Sequence, residues 1–186
     1  GKWTVISAME LAQPVTLVAE AVFARIVSSF KDDRKTAAAI LAGPSTGLPA
    51  LGNVDDAGGD EARIAGAGGF LAAIRDALYA SKIVSYAQGY TLMRAAAGER
   101  GWNLNYGGVA LMWRGGCIIR AVFLDRIKEA FDTDSKLENL LLAPYFSAAC
   151  AKTQDAWRHV VATAAQLGIP VPAFAAALSY YDGYRR

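Results

Sequence analysis

The sequence predicts an all-α fold: one multi-helix domain with two long helices and a long glycine-rich surface loop. Three observations carry this. Apolar residues recur three and four apart over most of the chain, as one face of a helix requires. No segment sustains the period-two alternation of a half-buried strand. Proline and glycine fall where those periodic runs begin and end, as helix starts and stops do.

Thr4 to Leu11 is a short first helix. Pro14 is placed to open the second, where its missing N–H is no loss. From there Val15, Val18, Val22, Ile26 and Ser29 step along one face. The third, "DDRKTAAAIL", begins with two aspartates suited to a helix N-terminus and stops at Gly43-Pro44. Pro44 to Gly69 is rich in glycine and lacks apolar periodicity, which predicts an exposed loop. It has neither a Gly-Lys-Ser/Thr ending nor a preceding strand, so it does not read as a phosphate loop. Phe70 to Arg100 reads as one long helix through Leu71, Ile74, Leu78, Ile83, Tyr86, Tyr90 and Met93, with Gly101 as its stop. Gly107 to Trp113 and Cys117 to Phe131 read as two helices parted by Gly115-Gly116, with a break at Asp132 to Asp134. Pro144 opens the second long helix, ending near Gly168. A last short helix runs toward Tyr184 after "IPVPAF".

The 186 residues suffice for one core of useful size. Apolar residues make up 54% and charged residues 19%, which suits extensive burial, part of it against a partner. A net charge of +2, spread along the chain, argues against nucleic acid. No apolar run reaches the roughly 18–20 residues of a membrane span. Cys117 and Cys150 sit in apolar company, which suggests reduced thiols inside a cell. One histidine, His159, without paired cysteines or carboxylates, argues against a metal site. The chain starts at Gly1 without an initiator methionine and stops at "YYDGYRR", which reads as a piece of a longer protein.

Three arginines stand in apolar surroundings. Arg114 and Arg120 lie within "NYGGVALMWRGGCIIR" and read as structural ties between helix ends, Arg114 reaching helix carbonyls. Arg25 lies on "PVTLVAEAVFARIVSSF", whose only other charge is Glu20. Its planar fork suits two-pronged binding of a phosphate, and a salt bridge to Glu20 or another carboxylate suits it equally. His159 reads as a surface or packing residue. Tyr180, Tyr181 and Tyr184 read as a cap on the core, with stacking on a ligand as the alternative.

The blocks "GKWTVISAMEL", "PVTLVAEAVFAR", "ALYASKIVSYAQGY", "NYGGVALMWRGGCIIR" and "GIPVPAFAAALSYYDGYR" resemble the C-terminal helical domain of the decarboxylating 6-phosphogluconate dehydrogenases. The likeness runs from Gly1 to Arg185 and lapses only in the loop after Gly43-Pro44, longer here than is usual in the family. It implies that residues 1–186 form one substrate and dimerisation domain. An N-terminal Rossmann domain that binds NADP, with the catalytic lysine and glutamate and a substrate-contacting lysine, would lie upstream of Gly1. No catalytic residue would therefore lie in this chain, and alone it would be inactive. The implied reaction is oxidation of 6-phosphogluconate at C3 by NADP and loss of carbon dioxide to give ribulose 5-phosphate, in the cytoplasm. Arg25 matches the arginine that holds the substrate phosphate. Ile118 matches a position near the substrate, acting through its backbone. The family forms a homodimer, and a tail following "YDGYR" enters the partner subunit. Ile26, Tyr180 and Arg186 depart from the residues common in the family. The competing reading is a helical self-association scaffold with no substrate role.

Overall fold

The computed structural model describes residues 1–44, 67–115, 117 and 121–186. Among the described residues there are eight α-helices, one 3-10 turn and no strand. The helices are α1 (Lys2–Glu10), α2 (Thr16–Ser29), α3 (Lys31–Ile40), α4 (Ala67–Arg100), α5 (Tyr106–Met112), α6 (Leu124–Thr133), α7 (Pro144–Gln166) and α8 (Pro172–Tyr184), with the 3-10 turn at Leu140–Leu142. The glycine-rich loop of the sequence reading falls almost wholly on residues 45–66, outside the described residues.

The 34 residues of α4 span about 50 Å and the 23 of α7 about 35 Å. They run antiparallel: Phe70 meets His159 edge-on at 5.8 Å, and the Tyr79 hydroxyl lies 2.8 Å from that of Tyr145. Their seam follows from the sequence. On α7 the buried residues are Phe146, Cys150, Thr153, Trp157, Val160 and Ala164, alternately four and three apart. On α4 the buried alanines Ala73, Ala77, Ala80 and Ala87 follow the same alternation, completed by Val84. Small residues on one helix let the other bring its aromatic rings close, which is ridge-into-groove packing. Trp157 is fully buried, and its indole N–H donates to the Phe174 carbonyl at 3.1 Å, tying α7 to α8.

The remaining elements close around this pair. Leu124, Ile127 and Phe131 of α6 complete the core, with Phe131 against Tyr90. Helix α5 lies so close on α6 that a Cβ at Gly107 would meet Lys128 Cγ at 3.3 Å. The Asn105 side chain caps α5 by accepting from the Gly108 N–H at 2.8 Å. Asn139 is buried with both ends satisfied: its amide donates to the Tyr180 hydroxyl at 3.0 Å and its carbonyl accepts from the Leu141 N–H at 2.9 Å. Asp182 on α8 receives both terminal nitrogens of Arg158, at 2.7 and 2.6 Å, and Nε of Arg185 at 2.9 Å. These bonds hold its carboxyl well below the usual carboxylate range.

Three helices end in the same closure, in which an N–H two or three residues beyond the helix reaches back to a carbonyl five residues earlier. Trp102 bonds Ala97 (2.9 Å) and Ile169 bonds Ala164 (2.8 Å), with Gly101 and Gly168 at φ +67° and +66° between. At the end of α1, Gln13 bonds Ala8 (2.8 Å), but the left-handed residue is Ala12, at φ 51°.

The structure revises three expectations. Pro14 does not open α2. The Val15 N–H folds back to the Gln13 carbonyl at 2.9 Å, which spends Pro14 in a tight turn and delays the helix to Thr16. The helix expected over Cys117–Phe131 begins at Leu124; Cys117 and residues 121–123 are non-helical, because the apolar run there carries no N-terminal signal before Asp125. Arg114 is half exposed and reaches no helix carbonyl. It pairs with Asp125, in the first turn of α6, at 2.6 Å. The tie between helix ends stands, with a carboxylate as its acceptor.

Candidate functional site

The site is built on α2. Val18, Val22 and Arg25 lie four and three residues apart and share a face. That face is turned toward α1. Val18 packs on the small cluster of Ala8, Val15 and Leu92, with Leu11. Val22 faces the start of α1, where a Cβ at Gly1 would come within 2.5 Å of Val22 Cγ2. Arg25 follows Val22 by one turn on the same side of the helix.

Arg25 is exposed and forms no hydrogen bond or ion pair with another described residue. The salt bridge to Glu20 is not made. The arginine is also not sunk in an apolar wall, as the sequence suggested, because α2 has no buried residue along its length. Phe23, Ile26, Val27 and Phe30 are all about half exposed. Ile118 lies outside the described residues, as does Arg120.

The first turn of α2 is held by hydrogen bonds from another helix. Val15 stands at the N-cap without a capping side chain. The cap comes from α4 instead. Gln88, fully buried, accepts from the Leu17 N–H at 3.0 Å through Oε1 and donates to Thr16 Oγ1 at 2.9 Å through Nε2. Nothing in the sequence signals this, since the partners stand 71 and 72 residues apart.

Two concavities adjoin α1 and α2. One, of about 420 Å³, lies between α2 and the start of α8, lined by Phe23, Ala24, Val27, Arg34 and Pro172. The other, of about 620 Å³, lies between α1 and the end of α4, with Trp3, Trp102 and Trp113 around Glu10, Glu99 and Arg100. Sequence reasoning picked out neither. The ionisable groups that burial perturbs are kept neutral: Tyr79 is pushed up to about 12, Tyr90 is raised, and the Cys150 thiol is pushed up to about 11. Among the described residues no three histidine, cysteine or carboxylate side chains could hold a metal ion together. His159 is exposed and packs edge-on against Phe70. Tyr180 stacks on Tyr184 and bonds Asn139, and Tyr181 leans on Trp157, as packing residues do.

What this arrangement offers is a guanidinium without a partner among the described residues, on a helix whose first turn is capped by a remote buried amide. The family described as "6-phosphogluconate dehydrogenase, C-terminal domain" matches over residues 1–186. The chain belongs to that family.

Its relatives agree. The chain is 56% identical over 185 residues to the human "6-phosphogluconate dehydrogenase, decarboxylating", covering 100% of this chain and 35% of that protein. It is 55% identical to the sheep protein of the same name, again over 100% and 35%. Among solved structures, 6-phosphogluconate dehydrogenase from Plasmodium falciparum, described in its apo form and with NADP+ or 6-phosphogluconate, superposes with a TM-score of 0.85 at 36% identity, over 100% of this chain and 37% of that one. The chain thus spans about a third of the length of the relatives it matches. No helix among the described residues is long and apolar enough to cross a membrane.

Proposed function

We propose that this chain is the substrate-binding and dimer-forming helical domain of a cytoplasmic decarboxylating 6-phosphogluconate dehydrogenase. In the intact enzyme 6-phosphogluconate is oxidised at C3, NADP accepts the hydride, and loss of carbon dioxide leaves ribulose 5-phosphate. NADP sits mainly on a preceding Rossmann domain. Arg25 binds the substrate phosphate, and Ile118 contributes to substrate binding. The observation that carries this reading is the exposed Arg25 guanidinium, paired with no other described residue, one turn beyond Val22, against which Gly1 rests. A substrate-contacting lysine just ahead of Gly1 would face the same anion. Two cations converging on one point repel each other unless an anion joins them, and a phosphate monoester does so with charge-assisted bonds.

The test is Arg25→Ala in the full-length enzyme. The Michaelis constant for 6-phosphogluconate rises about 30- to 100-fold, the loss of one charged, two-pronged contact of roughly 2–3 kcal/mol, while Arg25→Lys recovers part of it. An unchanged Michaelis constant would refute the phosphate role.

The exposed apolar side chains of α2 and α3, from Phe23 and Phe30 to Ile40 and Leu41, support the homodimer. They also favour the second reading, a self-association scaffold without substrate. Normal dimerisation by an Arg25→Ala enzyme that has lost phosphate affinity separates the two in favour of the first.

A further inference from the structure

We propose that Gln88 is a positioning residue for substrate binding: from the rigid middle of α4 it fixes the first turn of α2 and so aims Arg25. The inference rests on Arg25 being the phosphate ligand.

The argument starts from what α2 lacks. Its N-cap residue, Val15, has no side-chain oxygen, so the first N–H groups of the helix need another acceptor. Past Val15 no side chain of the helix is fully buried; partly buried Leu17 and Val18 and its packing along α8 steer it, and only its first turn is gripped by hydrogen bonds from another helix. Gln88 supplies that acceptor. Its Oε1 takes the Leu17 N–H and its Nε2 holds Thr16 Oγ1, so the amide grips two successive residues of one turn. Gln88 cannot yield, because it is fully buried between Ala87 and Tyr90 on the helix that forms the core seam. A buried amide that lost these partners would be left unsatisfied, which pins the geometry further. The approach from α1 is fixed as well. Gln13 closes that helix through Ala12, a non-glycine residue held at φ 51°, and strain of this kind persists only where surroundings over-determine it.

Arg25 lies nine residues beyond Thr16, about 13 Å along the axis. A tilt of roughly 5° at the first turn therefore moves Arg25 by about 1 Å. Displacements of that size matter to a charge-assisted fork, whose bonds depend on direction as well as distance. Gln88 touches no substrate; it acts through the helix it caps.

The experiment uses full-length enzyme and 6-phosphogluconate. Gln88→Met keeps the volume and removes both bonds. It raises the Michaelis constant about five- to tenfold and leaves kcat within about twofold. Thr16 is exposed, so Thr16→Val removes one bond without disturbing the core. It moves the Michaelis constant the same way by a smaller factor, while Thr16→Ser restores it. In an Arg25→Ala background neither substitution adds a further rise. A Gln88→Met enzyme that melts earlier but keeps its Michaelis constant would show a merely structural residue and overturn the proposal. So would an equal further rise in the Arg25→Ala background, since Gln88 would then not act through Arg25. If Arg25→Ala itself left the Michaelis constant unchanged, the phosphate reading would fall and this inference with it. If Gln88→Met does not fold, Thr16→Val and its serine rescue decide the question.

Discussion

The α4–α7 seam and the α2–α3 arm are both apolar in sequence, and they use that character in opposite ways. Along the seam, alanines on one helix receive Phe146 and Trp157 from the other, and both aromatics are fully buried. On the arm, Phe23, Val27, Phe30, Ile40 and Leu41 stand 51–74% exposed. The difference is one of partners. The seam finds its partner within this chain and owes little to anything beyond it. The arm packs along α8 and is hydrogen-bonded at its root by Gln88, but those exposed apolar side chains find no cover among the described residues. The candidate ligand Arg25 stands on the less supported of the two.

Substitutions can break or sharpen this contrast. The largest effect is expected in the seam. Trp157→Ala removes a fully buried indole and leaves the Phe174 carbonyl without its donor, at a cost of about 3–5 kcal/mol in denaturant unfolding. A loss under 1 kcal/mol would mean that the seam is not the stabilising centre. Asn139→Ala comes next. It strips the Leu141 N–H and the Tyr180 hydroxyl of their buried partner, for about 2–3 kcal/mol. At the root of the arm the sign reverses. Ala12→Gly relieves a left-handed alanine and raises stability by about 1 kcal/mol, read as a higher melting temperature. The smallest change is on the arm. Ile40→Ser, at a side chain 74% exposed, shifts unfolding of dilute protein by less than about 0.5 kcal/mol. A larger shift that grows with protein concentration would locate the outside partner on α3.

The helices were legible because period and punctuation agreed. α4 and α7 had apolar residues on one stripe, and Gly101 and Gly168 stood where each stopped. The 3-10 turn at Leu140–Leu142 was not legible, since three leucines carry no turn signal and the fold there follows from the side chain of Asn139. The helix start in the stretch after Cys117 was misread because apolar density alone does not mark one. The site was legible in part. Arg25 stood out as a lone cation on an apolar helix, but periodicity records only which residues share a face, and not whether anything covers it. Gln88 stayed hidden because its partners lie on another helix, and a long-range cap leaves no local pattern.

The two thiols give the molecule a built-in clock for its own opening. Cys150 is fully enclosed by the seam, and burial pushes its thiol up to about 11, so at neutral pH it offers an alkylating reagent almost no thiolate until α4 and α7 part. Cys117 is only half covered and lies outside that seam. Modification of the first therefore times rupture of the whole core, and modification of the second times local breathing, in one sample and without an added label site.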